Sequence, residues 1–310
     1  MKPVSLYLLC AIAALAADLR IGIIGTDTSH VIAFSKVLND PTSPDHIAGA
    51  RIVAAFKGGS PDIESSASRV EGYAKDLAEK YSVEIVPTIG ALCGKVDAIL
   101  LESNDGRKHH PQAIEAIKCG KPMFIDKPLA STYPDAVAIA KAAKAANVKW
   151  FSSSSLRWAD PLASMKSPLN KSVTVWGPGP LEKTQYLDLS WYAIHPVEML
   201  YTIMGTGCDE VTRISSANDV VIGKWKDGRI GTVQVLRPYG DYGALAYTEK
   251  KTIESGKLKV SYVPMLKEII TFFQTGVAPV SEDETMELFA FMDAAQKSKE
   301  QGGKPVKLKR

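Results

Sequence analysis

The sequence contains few cysteines and almost no net charge, and each shortage excludes a class of protein. No Cys-x-x-Cys pair or Cys/His cluster occurs, so we expect no metal site and no disulfide framework. A net charge of +3, without a basic stripe interleaved with aromatic residues, argues against nucleic acid as a partner. The cysteines are Cys10, Cys93, Cys119 and Cys208, and we expect the last three to be ordinary buried side chains.

An apolar run opens the chain. Met1 to Pro3 gives a short positive start, Val4 to Leu15 is almost wholly apolar, and Ala14 to Ala16 is a small-x-small cleavage pattern. This layout is typical of a secretory signal peptide, and the run is too short for a comfortable membrane span. We therefore expect cleavage after residue 16, a periplasmic or secreted protein, and no membrane attachment afterwards. The alternative is a cytoplasmic protein with an apolar N-terminal strand.

The pattern of elements changes along the 310 residues, which are enough for two domains. In the first half, short apolar strands alternate with helical segments, and this predicts a doubly wound parallel sheet. In the second half, strands follow one another through short turns such as Asp227-Gly228, which predicts a mostly antiparallel sheet. Thr184 to Leu189 is predicted to be one of these strands. We place the boundary between the domains at residue 150, giving 17–150 and 151–310.

The first strand, Leu19 to Gly25, ends in a turn that matches the dinucleotide fingerprint only in part. Strand, glycine turn and helix form a unit in which backbone N–H groups meet a pyrophosphate. Gly25 holds the first glycine position of Gly-x-Gly-x-x-Gly, but Asp27 and His30 hold the second and third. A carboxylate repels a pyrophosphate, so Asp27 is alternatively a cap of the next helix. Three hydroxyls offer other phosphate donors: Thr26, Thr28 and Ser29.

The second predicted strand, Arg51 to Phe56, is followed by Lys57 where an acidic residue would bind the adenine ribose. A lysine in this position suits a 2′-phosphate, so the cofactor is predicted to be NAD or NADP. The alternative is that Lys57 is a loop lysine in solvent.

A charged pair ends the buried strand that begins at Met123. Asp126 and Lys127 come directly after the apolar residues, and open α/β sheets bind ligands at the carboxyl ends of their strands. Pro128 excludes Lys127 from the helical region and so holds its ammonium at the sheet edge. The alternative is a solvated turn.

These motifs resemble those of the Gfo/Idh/MocA oxidoreductases, which include glucose–fructose oxidoreductase and inositol dehydrogenase. The resemblance rests on Gly22 to Gly25, Asn104 with His109, Gly120 to Pro122, Asp126 to Ala130, Leu156 to Pro161, His195 to Glu198, Pro279 to Asp283 and Gly302 to Val306. It implies a Rossmann domain with a doubly wound parallel sheet, followed by an α+β domain with a mostly antiparallel sheet. Three positions depart from the family pattern: Asp126 for Glu, Glu198 for Asp, and Trp191 for an Asp.

The resemblance also implies that Lys127 lies beside the nicotinamide and the reacting carbon. His195 falls near the start of a predicted helix, Tyr192 to Met204, and is either its core residue or a general base. With Lys127 as the cation, we assign His195 as the base. The expected substrate-binding residues are Arg157, Trp158, Asp188, Trp191 and Tyr192. The expected cofactor-binding residues are Gly25, Thr26, Asp27, Thr28, Ser29, Lys57, Asn104, His109, Asp126 and Lys127.

The resulting hypothesis is an NAD(P)-dependent oxidation of a secondary alcohol on a sugar or polyol. Free nicotinamide cofactor is scarce outside the cytoplasm, so one alternative is an exported glycoside hydrolase or lyase that recycles a bound NAD. A second alternative is a non-catalytic sugar-binding protein on the same scaffold. The open face of the second sheet predicts a homo-oligomer.

Overall fold

In the computed structural model of the protein, residues 17–309 are described. The predicted signal peptide, residues 1–16, lies outside the described residues. No helix within residues 17–309 has the length and hydropathy that a bilayer span requires.

The first half forms a six-stranded sheet in the order β3-β2-β1-β4-β5-β6. Its strands are β1 (Leu19–Ile24), β2 (Ala50–Phe56), β3 (Glu84–Val86), β4 (Ala98–Leu101), β5 (Met123–Asp126) and β6 (Trp150–Ser153). Every neighbouring pair is parallel, as the strand-helix alternation predicts. The strand order reverses between β1 and β4, so this gap at the carboxyl edge is the switch point of the sheet. Since β6 ends at Ser153, the sheet extends three residues past the predicted boundary.

The helices number nine within residues 17–309. They are α1 (Ser29–Asn39), α2 (Glu64–Ala67), α3 (Val70–Tyr81), α4 (Gly106–Ile117), α5 (Tyr133–Ala145), α6 (Asp160–Met165), α7 (Ile194–Met204), α8 (Val263–Thr275) and α9 (Glu282–Glu300). Helix α1 begins after Thr28, whose side chain caps it by accepting the N–H of His30.

The second half forms a seven-stranded sheet in the order β12-β11-β7-β10-β9-β8-β13. Its strands are β7 (Asn170–Pro178), β8 (Cys208–Ser215), β9 (Asp219–Trp225), β10 (Ile230–Leu236), β11 (Gly243–Thr248), β12 (Thr252–Glu254) and β13 (Val306–Lys307). Only β7 and β10 pair in parallel among its described ladders, so the sheet is mixed but mostly antiparallel. The predicted fold class is confirmed.

The predicted strand from Thr184 to Leu189 is wrong. The segment is irregular and ends in a short 3-10 turn, and the Leu187 N–H donates to the Ser131 carbonyl of the first domain. Gln185, Leu187 and Leu189 are buried at every second position. Gln185 also donates to Asp105 of the first domain, so tertiary contacts produce the alternate burial that imitates a strand.

Helix α8 belongs to the second half of the chain but packs on the first sheet. Phe272 on α8 meets Phe151 on β6 edge to face, at 5.1 Å between ring centroids, and Phe151 meets Phe124 on β5 at 5.0 Å. Phe34 of α1 is buried in the same cluster. The chain therefore returns to complete the core of the first domain, and the two domains share their apolar packing.

The expectation of no disulfide is also wrong, because Cys93 and Cys119 are bonded to each other. Cys93 follows the short 3-10 segment Gly90–Leu92, and Cys119 lies just beyond the end of α4. These two connections flank β4, which brings residues 26 positions apart to a Cα–Cα distance of 4.9 Å. No local motif records this proximity. Cys208 is buried, as expected.

We predict that replacing both Cys93 and Cys119 by serine lowers the free energy of unfolding by about 2–4 kcal/mol, because the unfolded chain gains freedom. Chemical denaturation with and without dithiothreitol measures this. The double variant serves as the control, since reductant is expected to destabilise only the unsubstituted protein. In the unfolded, unreduced chain from residue 17 onward, only the Cys208 thiol is expected to titrate, and detection of all three thiols would contradict the bond.

Candidate active site

A cavity of about 210 Å³ lies at the switch point of the first sheet, where the second domain covers the carboxyl edge. The first domain contributes Thr28, Ser29, His30 and Lys127 to its wall, and the second contributes Trp191, Tyr192 and His195. A larger cavity, of about 690 Å³, lies beside Lys166 and Arg229, away from all of these groups. The smaller cavity is lined by ammonium, imidazole and hydroxyl groups, which can take part in catalysis. It is therefore the candidate site.

Lys127 and His195 reach this cavity from separate domains. Lys127 follows β5, and its ammonium lies 5.7 Å from the centroid of the Tyr192 ring, where the aromatic face attracts a cation. His195 is buried in the first turn of α7, and its Nδ1 lies 2.6 Å from Ser154 Oγ. The structure therefore brings the two predicted catalytic side chains to one groove between the domains.

The protonation state of His195 is set by its surroundings. Burial, and secondly the nearby Lys127 ammonium, lower the pKa of His195 well below its ordinary value of 6.5. The imidazole is consequently neutral at pH 7 and able to accept a proton.

Aromatic rings form one wall of the cavity. The ring of Tyr192 lies 6.3 Å from that of Trp191 and 5.8 Å from that of His195, between centroids. The ring of Tyr242 also lies near His195, at 5.9 Å between centroids. Two of the predicted substrate-binding residues, Trp191 and Tyr192, therefore lie beside the predicted base.

The other three predicted substrate-binding residues lie elsewhere. The Arg157 guanidinium is buried between Glu198 and Glu284, at 2.6 Å from each carboxylate, and ties α7 to α9. Trp158 lies with Arg157 at a different cavity, of about 360 Å³. Asp188 forms ion pairs at 2.6 Å with Arg213 and Lys299. The charged groups of Arg157 and Asp188 bind other side chains, and none of the three residues lines the 210 Å³ cavity.

Asp27, at the second glycine position, is fully buried and fully bonded. Its Oδ1 accepts the backbone N–H of Asn104 at 3.1 Å, and its Oδ2 accepts the Ser66 hydroxyl at 2.5 Å. Thr26 is also buried, and its hydroxyl donates to the carbonyls of Lys57 and Val70. Both side chains therefore bind protein groups instead of facing an open groove.

The stretch between β2 and α3, residues 57–69, lies over this part of the sheet edge. In addition to the Ser66 contact with Asp27, Ser60 Oγ donates to Asp105 Oδ2 at 2.7 Å and Asn104 Nδ2 donates to Ser65 Oγ at 2.9 Å. Burial would raise the pKa of Asp105, but hydrogen bonds led by the one from Arg107 lower it to about 2. These hydrogen bonds hold the 57–69 segment across the gap between β1 and β4.

Gly25 is required by this close packing. Its φ is +91°, and a Cβ atom there would lie 2.4 Å from Ser103 Oγ and 2.6 Å from the Ser103 backbone. The buried His109 ring holds the same loop, with Nε2 2.6 Å from the Ser103 carbonyl oxygen. Lys57, predicted to bind a 2′-phosphate, instead pairs with Glu71 at 2.6 Å.

Sequence reasoning missed an ionisable cluster beside Lys127. His30 Nδ1 lies 2.7 Å from Asp126 Oδ2 and 3.8 Å from Glu102 Oε2. Burial and then the Asp126 carboxylate raise the pKa of Glu102 to about 8. Burial alone would lower the pKa of His30, but the carboxylates, Asp126 first, outweigh it and raise that pKa to about 9. Glu102 was visible in the sequence as a charged residue ending an apolar strand.

Comparison with known proteins agrees with this architecture. Residues 19–154 match the Gfo/Idh/MocA family, described as an oxidoreductase family with an NAD-binding Rossmann fold. No curated protein matches the chain significantly. Several solved structures share its fold. A probable dehydrogenase from Thermotoga maritima is 21% identical with a TM-score of 0.74, over 94% of this chain and 99% of that one.

Two inositol dehydrogenases share the fold at lower sequence identity. The myo-inositol dehydrogenase from Lactobacillus casei, in complex with NAD(H) and myo-inositol, is 16% identical with a TM-score of 0.73, over 94% of this chain and 97% of that one. The myo-inositol 2-dehydrogenase from Lactobacillus plantarum is also 16% identical, with a TM-score of 0.75 over 94% and 100%. At these identities the likeness shows the fold.

The family match covers the whole first sheet, and the solved structures extend the shared fold over the second domain. The resemblance drawn from the motifs is confirmed, and the cofactor of the matched family agrees with the predicted NAD or NADP. Residues 19–154 of this chain are therefore similar to the Gfo/Idh/MocA oxidoreductase family, which is described as having an NAD-binding Rossmann fold.

Proposed function

We propose that the chain is a dehydrogenase that oxidises a secondary alcohol on a sugar or polyol in the 210 Å³ cavity. One observation carries this proposal: the Lys127 ammonium and the His195 imidazole, from separate domains, line the same cavity. Oxidation of a carbinol needs a base at its hydroxyl and a cation near the oxygen, where negative charge develops.

His195 is suited to accept the hydroxyl proton. Its ring is neutral near pH 7, because burial and Lys127 lower its pKa. Nε2 is the accepting atom when Nδ1 carries the ring proton and donates to Ser154 Oγ, and the 2.6 Å separation allows this arrangement. Ser154 also accepts the Leu156 N–H, so its position is fixed by the backbone that follows β6.

Lys127 is suited to stabilise the oxygen as it loses the proton. Its ammonium lies above the Tyr192 ring and carries three donors. The same charge lowers the pKa of His195, so the cation acts on both the base and the alcohol.

The size and the lining of the cavity favour one sugar ring or cyclic polyol. A volume of about 210 Å³ is below the usual range for ligand pockets of about 300–1,000 Å³, which favours a substrate of one ring, and the wall combines aromatic faces with hydrogen-bonding groups. Trp191 and Tyr192 supply the aromatic surface for C–H groups, while Ser29 and Asn104 supply polar contacts.

The residues near the cavity fit a nicotinamide cofactor at one end only. Thr28 and Ser29 form the start of α1, where backbone N–H groups suit an anion, and Asn104 and Lys127 lie alongside. NAD bound here would supply the hydride acceptor. Towards β2, however, Asp27 and the 57–69 segment close the gap with direct hydrogen bonds. The pyrophosphate and adenosine would require these contacts to open.

This closed gap is the specific observation that favours a second candidate, a sugar-binding protein that no longer binds a dinucleotide. A hydrolase or lyase that recycles a bound NAD remains the further alternative. Release of nicotinamide from denatured protein separates the three. A tightly held, non-exchanging cofactor favours the hydrolase or lyase, an exchanging one favours the dehydrogenase, and none favours the binding protein.

We also propose that the protein is exported. The Cys93–Cys119 disulfide supports this, because disulfides persist in oxidising compartments. The homo-oligomer likewise stays a prediction, based on the half-exposed outer positions of strands such as β8 and β10. A monomeric mass in solution at micromolar concentration would contradict it.

Substituting Lys127→Met or His195→Asn is expected to reduce kcat/KM with NAD by about 10²–10⁴-fold, because a positioned acid or base contributes this much. A panel of inositols and aldopyranoses provides the substrates. His110→Asn is the matched control, since His110 pairs with Asp135 at 3.0 Å on the surface of α4. Unchanged turnover in both site variants, with unchanged thermal stability, would remove the assignment.

The ring of His195 is expected to titrate below pH 6.5, so kcat/KM should stay level from pH 8 down to pH 6.5. Because the pKa is lower in the folded state than in the unfolded one, the stability contributed by the neutral ring is lost as pH falls below 6.5. NMR titration of the imidazole, assigned with His195→Asn, tests the direction. A midpoint at or above 6.5 would contradict the burial and charge argument.

Replacing Asp27 by glycine is expected to tighten NADH binding by about tenfold or more, because a buried carboxylate and its bond to Ser66 no longer occupy the pyrophosphate position. Nicotinamide fluorescence titration gives the Kd. Asp27→Asn, which keeps the shape and removes the charge, separates the two effects. Asp62→Asn is the control within the same segment, since Asp62 is exposed and pairs with Arg107. Equal Kd values for all four proteins would show that Asp27 does not obstruct the cofactor.

A further inference from the structure

Three elements direct side chains of metal-ligating type to one point beside the cavity. His30 comes from the first turn of α1, Glu102 follows β4, and Asp126 ends β5. One donor atom from each lies within 4.8 Å of the other two. Two carboxylates and an imidazole converge here from rigid elements whose positions are fixed by the sheet.

The carboxylates are incompletely satisfied by the protein. Glu102 is fully buried, and neither of its carboxyl oxygens has a hydrogen-bond partner among residues 17–309. Asp126 is 3% exposed, and its Oδ1 also lacks one within that range. Buried polar atoms are nearly always paired, and a buried carboxylate without a partner is costly. A divalent cation that displaces the acidic protons of Glu102 and His30 would satisfy these atoms together.

We propose that His30, Glu102 and Asp126 form a binding site for one divalent transition-metal cation, of the class of Zn²⁺ or Mn²⁺. Imidazole nitrogen and carboxylate oxygen are the ligands that such ions accept. Ligand bonds of about 2.1 Å place neighbouring donors roughly 3–4 Å apart. The 3.8 Å between His30 and Glu102 matches that spacing, and the 2.7 Å between His30 and Asp126 would lengthen by a few tenths of an ångström.

The surroundings hold the ligands in place and leave one side open. The His30 ring packs against Phe34 and Tyr262, at 5.6 and 4.7 Å between centroids. His30 also lines the 210 Å³ cavity, so an ion on this triad would lie at the cavity wall, where a substrate or water oxygen completes its coordination. The Lys127 ammonium, on the residue after Asp126, repels a metal ion bound at the triad. The two carboxylates attract the ion and oppose that repulsion. The proposal does not depend on the dehydrogenase function.

The experiment uses the mature chain without a polyhistidine tag, dialysed against a chelator and then titrated with ZnCl₂ or MnCl₂ by calorimetry. We expect one equivalent per chain and a rise in Tm on binding. Glu102→Gln, which keeps the side-chain shape, is expected to weaken binding at least tenfold. Asp126→Asn provides a second variant if Glu102→Gln does not fold, as judged by circular dichroism.

His110→Ala is the matched control, because His110 and Asp135 form a His–Asp pair that is not part of any three-residue ligand group within residues 17–309. Unchanged affinity in this control supports the triad. Absence of saturable binding by either metal overturns the proposal, as does binding that is equal in the unsubstituted protein and in the Glu102 and Asp126 variants. Because the readout needs neither NAD nor a sugar, it stands even if the protein proves not to be a dehydrogenase.

Discussion

Burial of carboxylates along one edge of a parallel sheet is the constraint on which the site depends. Asp27, Glu102, Asp105 and Asp126 all lie at the carboxyl ends of β1, β4 and β5, and each is at most 3% exposed. Buried charges must be paired or neutralised. Burial raises the pKa of Glu102 to about 8, and the other three carboxylates bind different neighbours. Asp105 takes Arg107, Ser60 and Gln185, Asp27 takes Ser66, and Asp126 takes His30.

The position of His195 follows from a second set of buried charges. Arg157 lies just after β6 and binds Glu198 on α7 and Glu284 on α9, so the guanidinium fixes α7 relative to the first sheet. Ser154, three residues earlier, meets the His195 ring. The arginine therefore holds the imidazole beside Lys127 without facing the cavity. A buried guanidinium suits this task because its donors form a rigid fork.

Much of the fold could be predicted because residues close together in the sequence determine it. The alternation of strands and helices gave the parallel sheet, and the acid, lysine and proline after Met123–Ile125 placed Lys127 at its edge. Ion-pair partners were not predictable, because Arg157 meets glutamates 41 and 127 residues away. The same limit applies to Asp27, whose partners Ser66 on α2 and Asn104 after β4 lie 39 and 77 residues away. A charged residue within an apolar stretch of sequence indicates that it has an oppositely charged or hydrogen-bonding partner. Only the folded structure shows which residue that partner is.

Because α8 packs on the first sheet, the first domain is not formed by one continuous stretch of the chain. Phe272 contacts Phe151 at the last strand of a Rossmann sheet that ends more than 100 residues earlier in the chain. A fragment cut where the family match ends would leave Phe124 and Phe151 uncovered on one side of the sheet. The two halves are accordingly coupled through a common interior, so relative movement about the cleft must be a small adjustment of packed surfaces and not a free hinge.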